Sequence, residues 1–206
     1  MISIVDYGMG NLRSVAKAFE KIGAKVELIE TLDDVRRAHT LVVPGVGAFG
    51  DAMAGLEQRK LTGAIREHVE AGKPLLGICL GLQILFERSE ESPSVPGLGI
   101  LRGDVRRFVS ADLKIPQMGW NKIEVNPQSR LLRGLGDNPY VYFVHSYYVA
   151  PIDQEVIAAT TEYGIQFVSA IERGNLFGVQ FHPEKSQQIG LQILRNFATL
   201  VGEIPG

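Results

Sequence analysis

A lone cysteine held between two glycines, Gly77-Ile-Cys79-Leu-Gly81, constrains this chain more than any other stretch. The apolar run Pro74 to Ile78 before it predicts a short buried strand, and Leu82, Leu85 and Phe86 predict a helix from Leu80 to Glu87. G-x-C-x-G where a strand turns into a helix has the form of a nucleophile elbow, with cysteine in place of serine. So abrupt a turn pushes the intervening side chain into an uncommon backbone region, and flanking glycines let the neighbouring helix come close. The helix start then sets backbone N–H groups and a positive dipole end beside the sulfur, which favours thiolate. A lone cysteine beside a strand is equally the mark of a small buried hydrophobe. The elbow alone leaves both readings open.

Strand and helix text alternate through the first half. Ile2 to Val5 predicts a strand that ends at the glycine turn Asp6 to Asn11. Leu12 to Ile22 predicts a helix stopped by Gly23, and Lys25 to Ile29 a second strand. A short helix follows over Leu32 to Ala38, capped by Thr31. A third strand, Thr40 to Val43, is expected to break at Pro44. The glycine-rich loop Gly45-Val-Gly-Ala-Phe-Gly50 leads into helical text from Asp51, and Leu61 to Ala71 predicts another helix before the elbow strand. Short connections between such elements argue for a mostly parallel sheet covered on both faces. Glu87 to Gly99 reads as a polar surface loop. Thereafter strands dominate: Val105 to Val109, Lys122 to Val125, Tyr140 to Val144, Val156 to Thr161, Phe167 to Glu172 and Leu176 to Phe181, closed by a packing helix from Gln188 to Val201. The expected fold class is α/β. It has an open, mostly parallel sheet with helices on both faces and an antiparallel portion in the second half, as one domain over residues 1–206.

The 206 residues are 45% hydrophobic and 21% charged, enough apolar material for a sizeable core. A net charge of −2 gives no basic excess for a nucleic-acid surface. A single cysteine cannot form an internal disulfide, which fits a reducing compartment. The N-terminus lacks signal-peptide character and no apolar run approaches membrane-spanning length. A cytoplasmic protein that engages neither membrane nor nucleic acid is expected.

The second informative stretch is Gly178-Val-Gln-Phe-His182-Pro-Glu184-Lys185. Of four histidines, only His182 has a carboxylate two residues on with proline between. Pro183 biases His182 toward extended backbone, where residues i and i+2 point the same way. Glu184 can then fix the imidazole's tautomer. Thiol, imidazole and orienting carboxylate are the parts of a nucleophilic triad, although a solvated loop after a strand would carry the same letters.

G-x-C-x-G-x-Q followed about a hundred residues later by G-V-Q-F-H-P-E resembles the class I glutamine amidotransferases, which have a flavodoxin-like fold. Asp6 to Ser14, Pro44 to Met53, Met118-Gly-Trp-Asn121 and Phe143-Val-His-Ser-Tyr147 narrow the likeness to the glutaminase subunits of imidazole glycerol phosphate synthases in histidine biosynthesis. The resemblance implies that Cys79 attacks the glutamine carboxamide, with His182 as general base and acid and Glu184 orienting it. It implies an oxyanion hole from the N–H of Leu80 and the loop at Val46 and Gly47. Substrate contacts would come from Gly45, Gln83, and the backbone near Ser146 and Tyr147. Neither cofactor nor metal is implied. The implied partner is a (β/α)8-barrel cyclase that takes the ammonia and makes imidazole glycerol phosphate and AICAR. Met118, Trp120, Asn121, Tyr142 and Lys185 would form the partner-facing surface. Glutaminase activity would stay low until the cyclase binds substrate, and the Gly45–Val46 peptide is a place where glycine permits a switch.

Other readings remain open on residues alone. A pyridoxal-phosphate-type glutaminase, a cysteine peptidase or a stand-alone thiol hydrolase would share the nucleophile. Gly45-x-Gly47-x-x-Gly50 spells a dinucleotide-binding fingerprint, but Pro44 precedes it, its strand is the third, and no acid ends a following strand at the required distance. A zinc site from Cys79, His145 and His182 lacks clustered ligand spacing. A non-catalytic interaction subunit would leave the Cys–His–Glu set without a role.

Overall fold

The computed structural model describes residues 1–109 and 113–205. The first half builds β1 (Ile2–Val5), α1 (Leu12–Lys21), β2 (Val26–Ile29), α2 (Leu32–Arg37), β3 (Thr40–Gly45), α3 (Phe49–Gln58), α4 (Leu61–Glu70), β4 (Leu75–Cys79) and α5 (Leu80–Gln83). The second builds β5 (Arg88–Ser89), β6 (Gly103–Arg107), β7 (Gln117–Lys122), β8 (Glu124–Val125), β9 (Tyr140–His145), β10 (Tyr147–Pro151), β11 (Ile157–Glu162), β12 (Gln166–Arg173), β13 (Leu176–Val179) and α6 (Gln187–Leu200).

The main sheet runs β2-β1-β3-β4-β13-β12-β10-β6-β5. Pairing is parallel from β2 through to β13 and antiparallel from β13 to β12, β10 and β6. The α/β expectation therefore holds, with the antiparallel portion in the second half. β1, β3, β4 and β13 are buried throughout, as strands covered on both faces must be. On one face Ile4, Val42 and Ile78 pack with Phe19 of α1 and Phe197 of α6, whose rings lie 6.2 Å apart. On the other, Leu41, Val43 and Leu75 pack with Val35 of α2, Phe49 and Leu56 of α3, and Ile65 of α4.

Four local expectations are corrected. Pro44 does not break β3, which runs on to Gly45 and stays paired with β4. The register with β1 ends at Val42, and the Pro44 carbonyl is taken by the Tyr7 hydroxyl at 2.7 Å. Pro44's missing N–H therefore faces no strand partner. The helix after Cys79 is one turn, not two. The N–H groups of Leu85 and Phe86 bond three residues back, to Leu82 (3.2 Å) and Gln83 (3.1 Å), and the Glu87 N–H turns to the Gly103 carbonyl at 3.3 Å, while the carbonyls of Ile84, Leu85 and Phe86 accept from Leu98, Ile100 and Gly99. For the same reason the segment after Glu87 is not a plain surface loop. It adds β5 and buries Ser89 and Leu98. The strand expected over Lys122–Val125 is split at buried Ile123, because β7 pairs with β9 in a separate ribbon while β8 pairs with β11. β10 is a strand the sequence reading passes over.

The elbow depends on two glycines that have no room for a side chain. A Cβ at Gly81 would lie 1.7 Å from the Val43 carbonyl oxygen, and one at Gly77 would lie 2.6 Å from that of Gly81. The obstacles are backbone atoms, so no rotamer change relieves them. We expect Gly81→Ala to lower stability by more than ~4 kcal/mol, beyond the usual range for point substitutions. Gly63→Ala, on α4 with nothing within 4 Å of the new Cβ, is expected to be neutral or stabilising by up to ~1 kcal/mol from helix propensity. Urea unfolding of the two variants against wild type measures both.

Candidate active site

Cys79 ends β4 and starts α5 with φ 55° and ψ −110°. Only Lys60 and Gln187 share a positive φ among the described non-glycine residues. Neither lines the Cys79 pocket. A strained backbone costs on the order of 1–3 kcal/mol and persists where surrounding packing over-determines it. Here Gly45 of β3 lies in register with Cys79. A Cβ on Gly45 would lie 2.5 Å from the Tyr7 hydroxyl and 2.9 Å from Leu80 Cβ. The first glycine of the G-x-G-x-x-G text is therefore a packing surface for the elbow. Gly50 lies inside α3, against the Ser92 hydroxyl. The loop forms a wall of the cysteine pocket.

That pocket has a volume of about 270 Å³. Val46 and Gly47 line one side and Cys79, Leu80 and Gln83 the floor. His145, Ser146, Tyr147 and His182 close it from the second half of the chain. His182 arrives at the end of the strand text after β13. Its N–H donates to the Tyr142 carbonyl of β9 at 2.9 Å. The buried Ser186 hydroxyl donates to the His182 carbonyl at 2.6 Å and accepts from the Tyr142 N–H at 2.9 Å. Both backbone groups of Tyr142 are thus tied to the histidine turn.

The His182 ring and the Glu184 carboxylate are almost fully covered, with Nδ1 2.8 Å from Oε1. Nδ1 therefore carries a proton donated to Glu184. Nε2 has no hydrogen-bond partner among the described residues, and besides Glu184 the side chain acting on the ring is Cys79. Burial alone would push the imidazole down. Its interactions with Cys79 and Glu184 outweigh burial and raise it to about 10. Hydrogen-bonding and coulombic contact with these two side chains favours imidazolium. The neighbouring His145 behaves oppositely. Burial lowers it to about 4, so the ring is neutral. Nδ1–H then donates to the Tyr147 carbonyl at 2.8 Å, and Nε2 lies 2.9 Å from Gln117 Oε1, a side-chain amide that presents its NH2 to the neutral ring when turned over. Both ring nitrogens are committed, which removes His145 from the zinc set that the sequence left open.

The glutamine amidotransferase class-I family model matches residues 3–201 of the chain. The chain belongs to that family. An imidazole glycerol phosphate synthase subunit HisH from Moorella thermoacetica is 53% identical over 97% of this chain and 95% of its own length. The subunit of the same name from Aquifex aeolicus is 52% identical over 94% of each. Among solved structures, a glutamine amidotransferase superposes with a TM-score of 0.77 at 22% identity, covering 98% of this chain and 100% of that one. A chain of the Thermotoga maritima PurLQS structure gives 0.77 at 20% identity, covering 97% and 98%. The likeness to these two is one of fold.

The expected site residues are far apart in the chain, and the fold brings most of them together around one pocket. Gln83 donates to the Tyr147 carbonyl at 3.0 Å. The Ser146 carbonyl is occupied by the Phe108 N–H at 3.0 Å. The five residues expected to face a partner divide. Met118, Trp120 and Tyr142 share one face of the β7–β9 ribbon, Trp120 directly opposite Tyr142 with their rings 6.1 Å apart edge-on. Exposed Lys185 stands over the Tyr142 ring at 5.8 Å. Asn121 falls on the other face, its amide donating to the Glu162 carbonyl at 2.9 Å.

Three site residues escape the sequence reading. Glu91 lines the pocket while its carboxylate accepts the Phe49 N–H at 2.7 Å, a contact of 42 residues' separation. Buried Tyr7 holds the Pro44 carbonyl beneath the glycine loop. Gln180, with no exposed surface, donates to the Cys79 sulfur at 3.6 Å. Only Gln180 was within reach, because the i, i+2 argument that joins His182 to Glu184 also joins Gln180 to His182.

The histidines fix a pH dependence. His182 is raised, so the stability it contributes is full below its ordinary value of 6.5 and is lost as pH climbs toward about 10. His145 and His68, both lowered by burial to about 4, refuse a proton that the unfolded chain accepts. Stability is therefore expected to fall as pH drops from 6.5 to about 4. Urea unfolding at stepped pH tests the slope. Ring-nitrogen NMR should show His182 charged at slightly alkaline pH and His145 neutral in mild acid. A neutral His182 there contradicts the ion pair.

Proposed function

We propose that this chain is the glutaminase subunit of an imidazole glycerol phosphate synthase, one amidotransferase domain that releases ammonia from glutamine for a cyclase partner. The observation that carries the reading is the buried Cys79–His182–Glu184 line opening on a pocket of amino-acid size, in a chain half identical over nearly its full length to subunits of that name. Raised to about 10, His182 holds at neutral pH the proton that the departing nitrogen needs.

Cys79 Sγ adds to the glutamine carboxamide carbon, and the carbonyl π electrons move to oxygen. Leu80 N–H and the Val46–Gly47 backbone receive that oxyanion, donors that typically lower such barriers by ~3–4 kcal/mol each. The C–N bond breaks as His182 Nε2–H passes its proton to the departing nitrogen, giving ammonia and a glutamyl thioester. Water then gives a proton back to Nε2, its oxygen attacks the thioester carbon, and glutamate leaves with the thiolate restored. Glu184 keeps Nδ1 protonated, so Nε2 is the nitrogen that exchanges protons. Glutamine also carries an α-ammonium. Glu91 offers a carboxylate at the pocket wall to hold it.

Ammonia released into water at neutral pH is protonated and ceases to be a nucleophile. The acceptor site must therefore lie against this pocket. The Met118–Trp120–Tyr142 face with Lys185 suits a docked (β/α)8-barrel cyclase, since exposed aromatic side chains are favoured interface anchors. That ribbon is bonded to the His182 turn through Tyr142, so docking bears directly on the general base.

Cys79→Ala is expected to remove glutamine hydrolysis entirely while the complex with the cyclase still turns over with ammonium salt. Residual glutamine-dependent turnover would refute the nucleophile. Glu91→Gln should raise KM for glutamine roughly tenfold or more, the loss of one charge-assisted contact, with kcat little changed. Steady-state assays with and without the cyclase and its ribonucleotide substrate measure both, and absence of stimulation would favour a stand-alone glutaminase.

A further inference from the structure

We propose that Gln180 is the middle of a buried hydrogen-bond relay with a fixed direction, which aims an N–H at the Cys79 sulfur and leaves Gln83 presenting only its carbonyl oxygen to the pocket. The second half deepens the glutaminase reading and rests on it. The first half does not.

Side-chain amides can be drawn with either end forward, so direction has to be fixed by a group that cannot reverse. Here that group is the Tyr147 carbonyl, a main-chain acceptor. It lies 3.0 Å from Gln83 Nε2 and also receives the neutral His145 ring. Turning the Gln83 amide over would set its oxygen against that carbonyl. Gln83 therefore faces Tyr147 with its NH2, and the same nitrogen lies 3.1 Å from Gln180 Oε1. An NH2 has two donors, and both are now used. With its oxygen committed to Gln83, Gln180 can offer only Nε2 in the other direction, where the Cys79 sulfur lies at 3.6 Å. Buried amides need a partner at each end, and Gln180 is fully enclosed. The relay Tyr147–Gln83–Gln180–Cys79 thus has one consistent direction.

Two consequences follow. The sulfur has an N–H donor from Gln180, a second side chain besides His182 that acts on it. Gln83 lines the pocket with its Oε1 held by no described residue, so it recognises a ligand group that donates, such as an ammonium or amide N–H.

The test uses the full-length chain in complex with its cyclase. Iodoacetamide reads the sulfur without any substrate, at a rate set by how much of it is ionised. Gln180→Met keeps the shape and removes both polar ends. Its alkylation rate is expected to fall roughly threefold to tenfold, the loss of one long hydrogen bond to the sulfur. Gln83→Met should leave alkylation within about twofold, because it does not touch the sulfur. For glutamine, either variant should raise KM, and the double variant should raise it no further, because residues of one network do not act additively. Unchanged alkylation in Gln180→Met, or KM effects that multiply, would overturn the relay. Should Gln180→Met fail to fold, Gln180→Glu keeps an oxygen toward Gln83 but sets a second oxygen against the sulfur. Slower alkylation with KM preserved is then expected, and normal alkylation would overturn it. A wild-type complex inert to glutamine would refute the glutaminase reading, while the alkylation rates still judge Gln180.

Discussion

The close approach of Gly81 to the Val43 carbonyl is the contact on which the rest of the site depends. A helix can begin directly after β4 only if its first turn lies against the neighbouring strand with no side chain between them. In that arrangement Cys79 takes a positive φ of 55°. Its sulfur is then lifted to the edge of the sheet, between a glycine loop on one side and the second half of the chain on the other. Reactivity at this position begins as a steric condition on backbone atoms.

Around that fixed point the fold assigns opposite charge states to two histidines in contact with the same pocket. His182 is flanked by a thiol and a carboxylate and holds its proton. His145 is enclosed by a carbonyl and an amide and stays neutral. The two are separated by environment alone. One ring is thus charged, while the other is neutral and faces the Tyr147 carbonyl. That carbonyl in turn sets the direction in which Gln83 and Gln180 point. The His182 turn hangs on β9 through Tyr142 and Ser186, so the ribbon face that carries Tyr142 and the His182–Glu184 pair are tied to one strand.

Much of this was legible early. The alternation of strand and helix text up to Cys79 predicts the parallel half, because buried strands must be apolar throughout and helices must show one apolar stripe. The elbow and the His182-Pro-Glu184 pair were legible because each rests on local geometry, a turn and a period of two. Local reasoning failed where a distant segment supplied the deciding partner. The helix after Cys79 has good helical spacing to Phe86, yet the Glu87 N–H leaves it for the Gly103 carbonyl and residues 98 to 101 bind the carbonyls of Ile84 to Phe86. Pro44 reads as a breaker, yet its carbonyl finds Tyr7. Glu91 sits in text that reads as loop, and nothing nearby shows that it reaches a helix start 42 residues earlier.

By itself, then, the sequence determined the chemistry available: one thiol at a sharp turn, one imidazole with an adjacent carboxylate, and an apolar pattern for a sheet covered on two sides. The tertiary structure decided how those groups act. Whether a histidine is charged, which end of an amide faces a sulfur, and which carboxylate enters the pocket all depend on atoms brought together across 40 to 100 residues of chain. Electrostatic and hydrogen-bond energies fall off over a few ångströms in space, and separation along the chain carries no information about that distance until the chain is folded.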